Sequence, residues 1–241
     1  MRTLITSDIH LGSRQSRATD FLAFLGALSA GDRLVLNGDV IMHFTREGSL
    51  PDGHAAVLEK LRAMSREREV IWLRGNNDRH FALRDPAAII FAKDYLVDGM
   101  LYVAHGDRFD RLMPMLRCVL IPLRVVYEFC TRVVGKTTHV ASFAKRFPLV
   151  YNILNGHVAR NAMAYARAQG LRAVTCGHTH YPEVREADGI RYFNTGCWTE
   201  DAARVLIVDG GSIDLREAWQ QPTPNVPRER GVAGVVDPGA H

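Results

Sequence analysis

Leu4-Ile5-Thr6-Ser7-Asp8-Ile9-His10-Leu11-Gly12 is an apolar run that stops at a carboxylate and meets an imidazole two residues later. The pattern predicts a buried strand whose C-terminal end opens into a polar loop, where ligands sit in sheet-containing α/β folds. Asp and His together suit a divalent metal, since both are good ligands once deprotonated. Taken alone, Asp8-x-His10 reads more readily as a turn carboxylate beside an ordinary histidine. Only repetition elsewhere in the chain separates the two readings.

The chain does repeat it. Arg33-Leu34-Val35-Leu36 ends in Asn37-Gly38-Asp39, and Glu69-Val70-Ile71-Trp72-Leu73 ends in Arg74-Gly75-Asn76-Asn77-Asp78. Leu101-Tyr102-Val103-Ala104 ends in His105-Gly106-Asp107, and Arg172-Ala173-Val174-Thr175-Cys176 ends in Gly177-His178-Thr179-His180. Helical spacing separates the early strands: Ala18, Phe21, Leu22, Leu25 and Leu28 mark one helix over 16–28, and Leu58, Leu61 and Met64 another over about 54–67. Strands alternating with helices imply a layered α/β domain whose strand ends gather at one edge. The neighbouring glycines are expected to let the backbone turn sharply there.

Ile190 to Asn194, Ala203 to Asp209 and Ser212 to Arg216 read as further strands, with Gly210-Gly211 a hairpin turn. From Gln220 onward, Pro222, Pro224, Pro227 and Pro238 among several glycines predict a loose tail over 220–241, leaving a single domain over 1–219. Between Asp107 and Leu171 the pattern is helical, and a cap insertion is expected over about 108–168. Within it Arg117, Arg124, Glu128 and Arg132 fall in one narrow arc of an otherwise apolar segment that Pro114 and Pro122 interrupt. Two readings stay open: a cap packed on the core, or a lid whose arginine-edged cleft takes a lipid-like substrate or rests on an anionic membrane.

Length and composition (241 residues, 47% hydrophobic, 23% charged) fit a soluble globular protein. The net charge of +4 comes with only four lysines, Lys60, Lys93, Lys136 and Lys145, among the 30 basic residues. Arginine binds phosphate bidentately, so this bias leaves anionic substrates open. A nucleic-acid partner is not expected, because no lysine-rich stripe with interleaved aromatics appears. Cys118, Cys130, Cys176 and Cys197 show no C-x-x-C spacing and are expected as free thiols in a reducing compartment. With no leader pattern and no spanning run, the expected location is the cytoplasm.

Seven ligand-capable residues lie at the strand ends: Asp8, His10, Asp39, Asn76, His105, His178 and His180. Seven N/O donors without thiolate exceed a structural zinc site and match two octahedral-leaning ions sharing a carboxylate. The mixture of imidazole, carboxylate and amide suits Mn2+, with Fe2+ or Zn2+ as alternatives, better than Mg2+ or Ca2+. Two such ions ~3.5–4 Å apart clamp a phosphoryl group for in-line attack by hydroxide. The chemistry expected is therefore phosphoester hydrolysis.

Asp8-x-His10, Gly38-Asp39, Gly75-Asn76, His105 and Gly177-His178-x-His180 resemble, in order, the motifs of the calcineurin-like metallophosphoesterase superfamily. The resemblance spans roughly 3–209. It implies a four-layer αββα sandwich of two mixed sheets, with Asp8, His10 and His180 holding one metal, Asn76, His105 and His178 the other, and Asp39 bridging. The insertion after His105-Gly106-Asp107 and the segment Asn194-Thr195-Gly196-Cys197-Trp198 resemble the UDP-2,3-diacylglucosamine diphosphatases of lipid A synthesis and their relatives. That finer resemblance implies a glycolipid pyrophosphate substrate and peripheral contact with the inner membrane.

Asn77 departs from the pattern, since most of the superfamily has histidine there as phosphate contact or acid. Asparagine donates a hydrogen bond but delivers no proton at neutral pH. A nucleoside monophosphate leaving group scarcely needs one, so the departure is compatible with pyrophosphate cleavage. Arg79 and His80 are candidates for the lost contact, Arg14 and Trp198 for substrate binding with Arg117 and Arg124, and Asp107 for orienting a ligand histidine.

Overall fold

Along the central strands alternate side chains belong to different cores, because successive residues of a strand face opposite ways. The computed structural model describes residues 1–43, 45–112, 148–200 and 203–218. Strands β1 (Thr3–Thr6), β2 (Arg33–Asn37) and β3 (Val70–Leu73) send Leu4, Leu34, Leu36, Val70 and Trp72 to one side and Ile5, Val35, Ile71 and Leu73 to the other. Strands β6 (Leu101–Ala104) and β7 (Ala173–Cys176) send Leu101, Val103 and Ala173 inward, and Tyr102, Ala104, Val174 and Cys176 outward. Covered on both faces, these strands need continuous apolar sequence, which is why they were legible.

Six strands form one sheet, ordered β11-β10-β1-β2-β3-β4, with β4 at Ile90–Ala92, β10 at Arg204–Asp209 and β11 at Ser212–Glu217. Five form the other, ordered β5-β6-β7-β9-β8, with β5 at Asp94–Val97, β8 at Glu183–Ala187 and β9 at Ile190–Asn194. Both are mixed: β1 to β4 run parallel with β10 antiparallel to β1, and β6, β7 and β9 run parallel with β5 and β8 antiparallel at the edges. Residues 210 and 211 form the tight turn between β10 and β11, whose flanking pair is Asp209 and Ser212.

Helices cover the outer faces. Helix α1 (Ala18–Gly26) buries Phe21, Phe24 and Leu25, and α2 (Asp52–Ser65) buries Val57, Leu58, Leu61 and Met64, both against the six-stranded sheet. Helix α3 (Pro148–Ala168) lays Val158, Ala159, Ala162, Met163 and Ala166 on the five-stranded sheet, its alanines allowing close approach. The result is the expected αββα sandwich. Of the two readings left open for the cap, the described helix over 148–168 takes the first, packed on the core through its apolar stripe. The remainder of the expected cap, with Arg117, Arg124, Cys118 and Cys130, lies outside the described residues, as does the tail over 220–241. Cys176 and Cys197 are buried free thiols. Among the described residues no helix is long and apolar enough to cross a membrane.

Candidate metal centre

The first two ligand loops are bonded together by their backbones. Asp8 N–H donates to the Gly38 carbonyl (3.0 Å), His10 N–H to Asp39 (3.0 Å), Leu11 N–H to Val40 (2.8 Å) and Met42 N–H to Leu11 (2.9 Å). The second sheet is joined to the first through side chains: Asn37 Nδ2 donates to the Ala104 carbonyl (3.2 Å), and His178 N–H to Asp8 Oδ2 (3.0 Å). Asp8, His10, Asp39, His178 and His180 all adopt positive φ, between 52° and 68°. Asp and His enter that region more readily than most residues, but each still costs on the order of 1 kcal/mol or more. Such strain at five expected ligands points to a site that the surrounding fold holds in place.

Two of the strand-end glycines serve a purpose other than turning. A Cβ at Gly75 would lie 2.2 Å from Asp39 Oδ1, and one at Gly177 would lie 2.2 Å from Asp8 Oδ2. Side chains there would strike the carboxylates, so these positions are glycine because ligands pass against the backbone.

Two groups of three converge: Asp8, His10 and His180, and Asp8, Asp39 and His105, each with ligand atoms within 4.8 Å of one another. Asp8 Oδ1 lies 3.2 Å from His180 Nε2, and Asp39 Oδ1 lies 3.4 Å from His105 Nε2. Asp8 falls in both groups, and Asp39, the carboxylate expected to bridge, faces His105 in the second. The His178 ring stands edge-on to that of His105 with centroids 5.4 Å apart, and Asn76 lies between Gly75 and Asn77, both of which touch Asp39.

The electrostatics agree. Burial works against ionising Asp8, but the charges of His180 and His105 outweigh it and hold its carboxyl well below the usual range. Burial likewise opposes Asp39, which His105 nevertheless draws down to about 2. Burial disfavours the protonated imidazoles, yet Asp39 and Asp8 lift His105 well above its ordinary value, and Asp8 lifts His180 to about 10. Two buried carboxylates and their imidazoles make a site in which divalent cations can replace protons.

The donor set passes a test of fit for such ions. Asp8 Oδ1, Asn76 Oδ1 and His105 Nε2 are buried and make no hydrogen bond. Buried acceptors without donors are costly unless something binds them. The imidazoles are also preset: His105 Nδ1–H donates to the Asn37 carbonyl (2.8 Å), presenting Nε2. His178 Nε2 bonds Asp110 Oδ2 (2.9 Å), which presents Nδ1. Asp8, His10, Asp39, Asn76, His105, His178 and His180 are the residues that would hold two ions.

Most of the chain fits this reading. The family model for the calcineurin-like phosphoesterase superfamily domain matches residues 1–210. The chain belongs to the calcineurin-like phosphoesterase superfamily. A search of curated proteins found no match. Among solved structures, the E. coli phosphoesterase YfcE is 21% identical, with 90% of this chain and 100% of that one covered and a TM-score of 0.41. An archaeal phosphodiesterase is 14% identical, with 90% and 98% covered and a TM-score of 0.44. Vps29 of Entamoeba histolytica in complex with Zn2+ is also 14% identical, with 90% and 97% covered and a TM-score of 0.44. At these scores the individual likenesses carry no argument of their own.

Other expected residues of this phosphoesterase are placed differently. Trp198 does not line a cleft: it is fully buried against Phe21 and Phe24, its indole N–H donating to Thr6 Oγ1 (2.7 Å). Its backbone N–H holds the Asp8 carbonyl (3.0 Å), so it supports the site from behind. Asp107 pairs with Arg79 (3.1 Å), and it is Asp110 that bonds the ring of His178, an expected ligand (2.9 Å). Arg79, His80 and Arg14 are exposed. Asn77 directs its amide Nδ2–H to Asp39 Oδ2 and its backbone N–H to Asp39 Oδ1 (2.8 Å).

Sequence reasoning passed over three positioning residues. Asp78 is fully buried and accepts from Gly75 N–H (2.7 Å), Val40 N–H (2.9 Å) and Trp72 Nε1–H (2.9 Å), joining the Asp39 and Asn76 loops. Asn194 Nδ2 donates to the Gly177 carbonyl (2.9 Å), fixing the His178 loop. Asp110 follows His105 by one short 3-10 turn, Asp107–Phe109; that spacing was the available signal.

Proposed function

We propose that this metal-dependent phosphoesterase cleaves the pyrophosphate bond of a nucleotide-linked, acylated glucosamine, with UDP-2,3-diacylglucosamine as the named substrate, at the cytoplasmic face of a membrane. The observation that carries the reading is the pairing of a buried cluster of Asp8, His10, Asp39, His105 and His180 with an Asn77 whose amide is committed to Asp39. Asn77 therefore offers no proton donor, and a leaving group that needs none is favoured; a nucleoside monophosphate is one.

Two divalent ions, Mn2+ first among them, would supply an activated water at neutral pH and clamp the phosphoryl oxygens. The chain's own contribution is geometric. Asp78 and Asn194 hold the loops, Asn37 and Asp110 set the imidazole tautomers, and Asp39 and Asp8 compensate positive charge where the phosphoryl group arrives. A scaffold of the same fold that had given up catalysis would not need buried acceptors left without donors, which argues against a non-catalytic role.

Incubating the purified protein and Mn2+ with UDP-2,3-diacylglucosamine is expected to release UMP. Absence of UMP, alongside turnover of bis(p-nitrophenyl) phosphate, would remove the named substrate and leave a phosphodiesterase acting on another nucleotide or lipid headgroup.

A further inference from the structure

Helix α3 reaches the supports of the metal centre without offering a ligand of its own. Two of its residues, four apart and so neighbours on one side of the helix, form a pair. Asn161 Nδ2 lies 2.8 Å from the Phe109 carbonyl and 2.9 Å from His157 Nε2. A carbonyl only accepts, so it is the amide nitrogen that faces Phe109, and the orientation of the amide is settled. Its second hydrogen goes to His157 Nε2, which leaves the imidazole hydrogen on Nδ1. Both hydrogens of the amide are thereby used. The pair flanks the apolar stripe of Val158, Ala159, Ala162 and Met163 that packs on the five-stranded sheet. Asparagine is an unfavourable residue inside a helix, so helix formation does not account for it.

Phe109 is the point on which the pair acts. It ends the 3-10 turn Asp107–Phe109, and the next residue is Asp110, whose carboxylate bonds His178 Nε2 (2.9 Å). Helix α3 grips Phe109 twice: Asn161 bonds its carbonyl, and Tyr165, one turn further on, packs on its ring with centroids 5.6 Å apart. The turn itself rests on the His178 loop. Gly106 opens it at φ 115°, and a Cβ there would lie 3.2 Å from the Cβ atoms of both Cys176 and His178. Phe109 N–H to the Gly106 carbonyl (2.9 Å) and Asp110 N–H to the Asp107 carbonyl (3.2 Å) close it. The Phe109 carbonyl and the Asp110 N–H belong to one planar peptide unit. Fixing that carbonyl therefore fixes the direction from which the Asp110 side chain meets His178.

We infer that Asn161 is a positioning residue for the metal ion that His178 would hold, acting through the Phe109 carbonyl and Asp110. The inference rests on the two-ion reading of the site and deepens it by making one ion depend on helix α3. Without the Asn161 donor the peptide unit ahead of Asp110 is free to turn. Asp110 then meets His178 less well, and the ring is held less firmly with Nδ1 presented. His10 and His180 are not joined to this turn by any bond described above, so the ion that they share with Asp8 should be affected little. That asymmetry separates a positioning role from ordinary helix packing.

Chelator competition for Mn2+, run beside urea unfolding of the same full-length proteins, tests this. Asn161→Leu keeps the bulk of the side chain and removes the donor, and Asn161→Ala removes both. In each, one of the two ions should bind about 10-fold more weakly, with the other unchanged. Met163→Ala, on the same helix but outside the pair, should lower the unfolding midpoint and leave both affinities at the wild-type level. In an Asp110→Asn background, Asn161→Leu should add less than about 2-fold, because the two changes act through one bond. Unchanged affinities in both Asn161 variants would overturn the assignment. So would an equal loss in Met163→Ala, or losses that multiply in the double variant. A wild type that binds no Mn2+ would sink the two-ion reading itself, and the positioning role with it.

Discussion

The two sheets contribute different chemistry to one site. The six-stranded sheet delivers the oxygens, Asp8, Asp39 and Asn76, at the ends of β1, β2 and β3, with His10 as its one imidazole. The five-stranded sheet delivers nitrogen alone: His105 after β6, then His178 and His180 after β7. Neither half is a dimetal site. The carboxylates alone would repel one another, and the imidazoles alone would lack an anion to offset bound cations. The buried core of Ile5, Val35, Ile71, Leu101, Val103 and Phe193 between the sheets brings the halves together, so metal binding and sheet packing should be linked.

That comparison breaks most completely at Asp8, the carboxylate common to both ligand groups. Asp8→Asn is expected to lower kcat/KM by about 10³-fold or more and to reduce bound metal, measured by elemental analysis beside the kinetics. Retained stoichiometry and activity would mean that the shared position has been misread. Leu101→Ala breaks it from the other side without touching a ligand. Leu101 is fully buried between the sheets, and its truncation should cost about 2–5 kcal/mol in urea unfolding. Ligand affinity should then weaken with it, whereas unchanged affinity would uncouple the halves.

A subtler test acts on one imidazole. Asp110→Asn leaves every ligand in place but weakens the bond that orients His178, so metal affinity should fall about 10- to 100-fold in chelator competition while the fold persists. The mildest perturbation is pH on metal-free protein. His180 is raised from 6.5 to about 10, so its stabilisation is complete below pH 6.5 and disappears as pH climbs toward 10. Asp39 is lowered from 3.8 to about 2, so its contribution is complete above pH 3.8 and disappears as pH falls toward 2. The metal-free melting temperature should therefore peak between those limits, and Mn2+ should flatten its fall on the alkaline side. A Tm that rises from pH 6.5 to 10 without metal would contradict the pairing.

Much of this was legible because buried parallel strands require unbroken apolar runs. β1, β2, β3, β6 and β7 were readable for that reason, each ending at its ligand. The missed strands are edges: Ile90–Ala92 and Glu183–Ala187 bury no residue and Asp94–Val97 buries only Val97, so none carries a hydrophobic signature. Gly75 and Gly177 were noticed for the right positions and the wrong cause, since turning is visible in sequence and crowding by Asp39 and Asp8 is not. Trp198 shows the same limit: a tryptophan after Asn194-Thr195-Gly196 reads alike whether it faces a cleft or the core behind one.

By itself the sequence picked out Asp8-Ile9-His10 and its four counterparts as candidate ligands and pointed to phosphoester chemistry. Residue type and strand-end position are local properties, and metal chemistry depends chiefly on residue type. Only the tertiary structure decided which nitrogen His105 and His178 present, and that Asp78, Asp110 and Asn194 hold the loops. Those properties arise from contacts between residues far apart in the chain, such as Asp110 with His178 and Asp8 with His180. They exist only once the two sheets have closed on one another.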